Sequence, residues 1–98
     1  MSYVYLNGQF VKSDSAKISV FDQGFLYGDG IFESFRSIGN QLYQFPHHYQ
    51  RLQQSAEALS YPITLTQQKL EAILLELRER NGLNNAYYRI TITRGEGQ

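Results

Sequence analysis

Apolar and aromatic residues, suited to strands, concentrate in Tyr3–Leu6 and Gln9–Lys12, with the polar pair Asn7-Gly8 between them. A strand's period of two places one face toward a core, and Asn-Gly suits a two-residue turn in which both central residues need positive φ. A β-hairpin is therefore predicted over Tyr3–Lys12. The following "SDSAK" is polar and reads as a loop, and "ISVFD" as a brief extended piece. A second strand pattern follows in "GIFESFRSIGNQLYQF". There Ile31, Glu33, Phe35 and Ser37 fall on one strand face, and Phe32, Ser34, Arg36 and Ile38 on the other. Gly39-Asn40 supplies the turn of this second hairpin, and Gln41–Phe45 its return.

The period then changes. Tyr49, Leu52, Ala56 and Leu59 recur at helical spacing after Pro46, which suits a first helical turn, and Tyr61-Pro62 stops the run. Thr66 is placed to cap a second helix with Leu70, Ile73, Leu74 and Leu77 as its buried stripe, and Asn81-Gly82 ends it. "AYYRITIT" is rich in β-branched and aromatic residues and reads as a strand. Strands, two helices and a strand make an α+β fold, with helices packed on a mostly antiparallel sheet. The final "RITITRGEGQ" leaves a strand and enters a glycine loop, so the chain is expected to be the first part of something longer.

Composition narrows the class. The 98 residues suffice for one modest core, and 42% hydrophobic with 18% charged residues is ordinary for a globular protein. Formal net charge is zero, so charge points to neither nucleic acid nor an anionic membrane as partner. No cysteine is present, which removes disulfides and thiolate metal sites from consideration, and no apolar run is long enough to span a bilayer. A cytoplasmic protein is the default expectation. The eight Tyr and six Phe, with no Trp, are the unusual feature, because half-buried tyrosines need a partner for the hydroxyl.

Candidate chemistry is scattered. Gly24, Gly28 and Gly30 in "GFLYGDGIF" permit positive φ or close backbone approach, but their spacing is neither a P-loop nor a dinucleotide fingerprint. Loop chemistry alone reads them as a tight connection into a strand. Arg51 sits beside Leu52, at the edge of the apolar stripe. A lone arginine there is usually solvated or ion-paired; the sharper alternative is an anion clamp, since a guanidinium forks onto phosphate oxygens. His47 and His48 are adjacent, which does not offer two ligands to one metal from a helix, and no metal site is expected. Tyr87 and Arg89 share a strand face and suit a substrate carboxylate, or equally a half-exposed surface. Lys12, Lys17 and Lys69 lie in polar surroundings with no sign of activation.

Taken together, "ISVFDQGFLYGDGIFESFR", "HHYQRLQQSAEAL" and "YYRITITRG" resemble, in order and spacing, the N-terminal domain of the class IV, fold-type IV pyridoxal-phosphate enzymes. That family comprises branched-chain aminotransferases, D-amino acid aminotransferases and 4-amino-4-deoxychorismate lyases. The resemblance covers nearly the whole chain and implies that residues 1–98 are the small N-terminal domain. It implies pyridoxal 5'-phosphate as cofactor, with Arg51 on its phosphate. It further implies that Tyr27, Phe32, Tyr87 and Arg89 face the substrate, an amino acid or 2-oxo acid. Arg36 is given a lesser, supporting role, and His48 a structural one. The family's lysine, which holds the cofactor and moves the substrate proton, belongs to a C-terminal domain, so no catalytic residue is assigned and this chain alone is expected to be inactive. Glu33 and Arg89 lean toward a branched-chain-type transaminase. The lyase is the runner-up, and a truncated, non-catalytic binding domain is the alternative of another class. A homodimer is implied by the resemblance alone.

Overall fold

The computed structural model describes residues 2–97. Strands β1 (Tyr3–Leu6) and β2 (Gln9–Lys12) form the first hairpin, in register Tyr3 with Lys12 and Leu6 with Gln9. Asn7 and Gly8 take φ of 52° and 89°, as the turn requires. A 3₁₀ turn over Ser13–Ser15 follows. Residues 16–21, expected to be partly extended, join no strand; only Asp22 bridges, to Glu96.

The glycine-rich stretch is not merely a connection. Its first part is a short helix, α1 (Gln23–Tyr27), capped by Asp22 and closed by Gly28 at φ 68°. Strand β3 (Gly30–Ile38) then pairs along its length with β5 (Ala86–Thr93), antiparallel, from Gly30–Thr93 to Ser37–Ala86. The return strand β4 is shorter than predicted, Gln41–Leu42, and meets only Ser37 and Ile38. Phe45 leaves it because its side chain is needed in the core, where it is 2% exposed at the start of α2 (Phe45–Ala58).

The α+β architecture holds, with strand order β4-β3-β5 and the first hairpin forming a separate two-stranded sheet. Helix α2 buries Phe45, Tyr49, Leu52 and Ala56, and α3 (Gln67–Arg80) buries Leu70 and Leu74. Thr66 caps α3 by accepting from Lys69 N at 3.1 Å. These helices meet the face of the sheet that carries Phe35, Ala86 and Tyr88, and together the residues form the core. Burying such side chains is worth roughly 1.5–3 kcal/mol each, which makes this layer the main source of stability. The hairpin is tied on separately. Asn81 at the end of α3 accepts from Tyr3 N at 2.7 Å and donates to Tyr3 O at 3.0 Å, so one amide side chain serves the backbone of β1 as a strand neighbour would. Among the described residues no helix is long and apolar enough to cross a membrane.

Candidate functional site

The pleat of β3 and β5 sorts the candidate residues onto two sides of the sheet. On the outer face stand Phe32 and Arg36 from β3 and Tyr87 and Arg89 from β5, all exposed. The Arg89 guanidinium lies over the Phe32 ring, 4.3 Å from its centroid. A cation held this way keeps its N–H edge free for a carboxylate while the ring covers its face. Tyr87 is 73% exposed, Phe32 58% and Tyr27 78%. Together Phe32 and Tyr87 make this face the exposed aromatic side of the sheet.

Arg51 is on the other side. Helix α2 carries it, and its Nη2 lies 3.5 Å from Oε1 of Glu33, on the helix-facing side of β3. The second carboxylate oxygen, Oε2, accepts from Nδ1 of His48 at 2.8 Å. The His48 ring stacks on Phe35 with centroids 5.0 Å apart. Glu33 itself is buried, 7% exposed, which an unpaired carboxylate would not tolerate. Arg51 remains largely in solvent, and among the described residues its other guanidinium nitrogens have no protein acceptor. That free edge presents N–H donors of the geometry that forks onto anionic oxygens. The structure therefore brings Phe32, Tyr87 and Arg89 together and keeps Arg51 apart from them, behind the sheet. Between the two sets lies the edge of β3, left open from Gly30 to Phe35 because β4 pairs with Ser37 and Ile38 and Tyr43 N donates to the Arg36 carbonyl at 2.9 Å.

Tyr27 is held by the glycine stretch. Asp22 Oδ1 accepts from Gly24 N at 2.8 Å and Phe25 N at 3.3 Å, fixing the start of α1. Gly24 packs so closely on β5 that an added Cβ would collide with Thr93 Cγ2. At Gly30 the same atom would sit 2.8 Å from the Ile92 carbonyl oxygen. These two glycines exist for close approach, and Gly28 for its left-handed φ. Asp29 is clasped by Arg94 at 2.6 Å, and Arg94 lies over Tyr61, 4.9 Å from the ring centroid.

Sequence reasoning gave Glu33 no place in a site. The available signal was its position: a carboxylate on the same strand face as Phe35 points into the core and must have a partner there. The Asp29–Arg94 clasp carried no such local signal. An apolar cavity of about 530 Å3 lies between β1, α3 and β5, lined by core residues such as Leu52, Leu70, Leu74 and Tyr88 and touched by Tyr87 and Arg89 of β5. Neither Arg51 nor Phe32 reaches it.

Residues 30–98, which hold β3, α2 with Arg51, and β5, match the family model for amino-transferase class IV. The chain belongs to the class IV aminotransferases. A branched-chain-amino-acid aminotransferase assigned in Methanocaldococcus jannaschii is 44% identical over 94 residues, 96% of this chain and 33% of that protein. The D-alanine aminotransferase of Staphylococcus epidermidis is 36% identical over 96 residues, 97% of this chain and 34% of that protein. Among solved structures, the T.th. branched-chain amino acid aminotransferase with pyridoxamine 5'-phosphate superposes with a TM-score of 0.88 at 28% identity, covering 99% of this chain and 34% of that one. This class IV chain thus spans about a third of the length of the relatives it matches.

Proposed function

We propose that this chain is the small domain of a pyridoxal-phosphate-dependent aminotransferase of the branched-chain type. In this reading Arg51 holds the cofactor phosphate, and Phe32, Tyr87, Arg89 and Tyr27 form the substrate wall. The observation that carries it is the pairing of an exposed aromatic and cationic sheet face with an arginine whose free edge suits a phosphate, across the open edge of β3. The solved relative with pyridoxamine 5'-phosphate supports the choice of cofactor.

When bound, the cofactor supplies the electron sink through which an amino group passes from an amino acid to a 2-oxo acid. This chain binds and orients. Arg51 fixes the phosphate; Arg89, steadied on Phe32, receives the substrate carboxylate; Phe32 and Tyr87 cover an apolar side chain and keep water from it. Lys12, Lys17 and Lys69 are all exposed and none stands on β3, α2 or β5, so the proton-transferring lysine comes from the remaining two-thirds of the protein. The 98 residues alone are inactive in this account. Transamination is preferred to lyase chemistry because both relatives named above are aminotransferases. D-Alanine is the second substrate reading, on the weaker of the two similarities. A homodimer and a cytoplasmic setting belong to the same proposal. Val20, Phe21, Phe25 and Leu26 are all exposed around α1 and offer a second copy its apolar contact.

The test is amino transfer by the full reading frame to 2-oxoglutarate, from valine, leucine, isoleucine and D-alanine. Cofactor absorbance and molar mass in solution are read on the same sample. Turnover of the branched-chain amino acids by a cofactor-bearing dimer supports the proposal, and a protein that binds no cofactor overturns it.

A further inference from the structure

We infer that Glu33 is a positioning residue for Arg51: it holds the guanidinium from one edge so that the opposite edge meets the cofactor phosphate. The inference rests on the proposed role of Arg51 and adds a residue that never touches the ligand.

Two facts separate the fixed end of this pair from the movable one. Glu33 is locked. Its backbone is in the middle of β3, in register with Ile90 of β5, its carboxylate is buried, and Oε2 is engaged by His48 at 2.8 Å. His48 is in turn pinned by its stacking on Phe35. Arg51 is not locked, with 58% of its side chain in solvent. A free arginine side chain has many rotamers to lose, and whatever narrows its range before the ligand arrives lowers the cost of binding. The Glu33–Arg51 contact does this from a rigid base. His48 and Arg51 are three residues apart on α2, so both reach one carboxylate from adjacent turns.

A carboxylate close behind the arginine repels an incoming phosphate as well as orienting its receptor. His48 donates to that carboxylate and takes up part of its charge, and the 3.5 Å separation from Arg51 is an ion pair rather than a short hydrogen bond. With the carboxylate charge shared by His48, we take orientation to exceed repulsion, by the modest margin of a half-exposed pair.

The experiment uses the full reading frame, stripped of cofactor. Dissociation constants are measured for pyridoxal 5'-phosphate and for pyridoxal, which lacks the phosphate, and their ratio is the readout. In Glu33→Gln the ratio is expected to lose about threefold to fivefold of its preference for the phosphorylated form, with pyridoxal affinity unchanged. Glu33→Asp keeps the charge but withdraws the oxygens by about 1.5 Å, so it should lose preference in the same direction and serves if the glutamine variant does not fold. In an Arg51→Ala background, Glu33→Gln should have no further effect on the ratio, because the residue acts through Arg51. An unchanged or increased preference in Glu33→Gln overturns the inference, as does an effect that persists without Arg51. If Arg51→Ala itself leaves the ratio unchanged, the phosphate assignment falls and this inference with it. If Arg51→Ala collapses the ratio and Glu33→Gln does not, the assignment stands and Glu33 is merely structural.

Discussion

Thr93 Oγ1 donates to Asp22 Oδ2 at 2.8 Å while the other oxygen of the same carboxylate caps α1. One buried side chain thus ties the helix that carries Tyr27 to the end of β5, across 71 residues of sequence. Removing the cap and the tie together, in Asp22→Ala, should cost about 2 kcal/mol, and Thr93→Val, which keeps the cap but removes the tie and the acceptor for Gly95 N, about 1 kcal/mol. Urea denaturation of the full reading frame measures both. Equal effects would show that the link to β5 accounts for the whole contribution and the cap for none.

The glycines around α1 should separate by mechanism. Alanine at Gly24 or Gly30 meets Thr93 Cγ2 or the Ile92 carbonyl inside contact distance, neither of which is the end of a flexible side chain. Each should cost about 2–3 kcal/mol and loosen α1 or the β3–β5 ladder. Gly28 has open space around it, so Gly28→Ala bears only the left-handed backbone penalty of about 1–2 kcal/mol. Thermal denaturation midpoints rank the three, and a Gly28 variant less stable than the other two would contradict the packing argument.

Arg89 and Arg51 face opposite sides of the sheet, so their variants should fail differently. Arg89→Lys keeps the charge but gives up the fork and the flat stacking on Phe32. The KM for the amino acid should rise about tenfold, while preference for the phosphorylated cofactor stays as in the wild type. Steady-state kinetics alongside cofactor titration tests this. A loss of cofactor affinity in Arg89→Lys would place both arginines on one ligand group.

Tyr61 gives the protein a calculable alkaline response. Its hydroxyl donates to the Ile92 carbonyl at 3.3 Å, and burial together with nearby Asp29 raises its pKa above the ordinary 10.0, opposed in part by Arg94. With the folded pKa above the unfolded one, its contribution is complete below about pH 10 and declines as pH rises through the folded value. Tyr61→Phe should therefore flatten the loss of stability as the pH is raised above about 10. Chemical denaturation at several pH values checks it; parallel curves for the two proteins would remove Tyr61 as the cause.

Much of this architecture is written in neighbouring residues. Asn7-Gly8 sets a turn and its register, Thr66 caps α3, and the alternation in "IFESFRS" and "YYRITIT" assigns each side chain a face of the sheet. Turns, caps and periodicity act over a few positions, and so a sequence displays them. The resemblance to class IV aminotransferases was equally legible, because its motifs are contiguous. Other features needed the folded chain. Helix α1 was hidden in a glycine-rich stretch because its five residues pack on β5, where Asp22 meets Thr93 and Gly24 approaches it closely, and β4 ends early because Phe45 is drawn into the core. The partners of Glu33, fifteen and eighteen positions away, meet it only because α2 packs on β3. Local patterns decide which face a residue presents. Which distant residue it then meets is decided by packing, whose energy comes from contacts that no short stretch of chain contains.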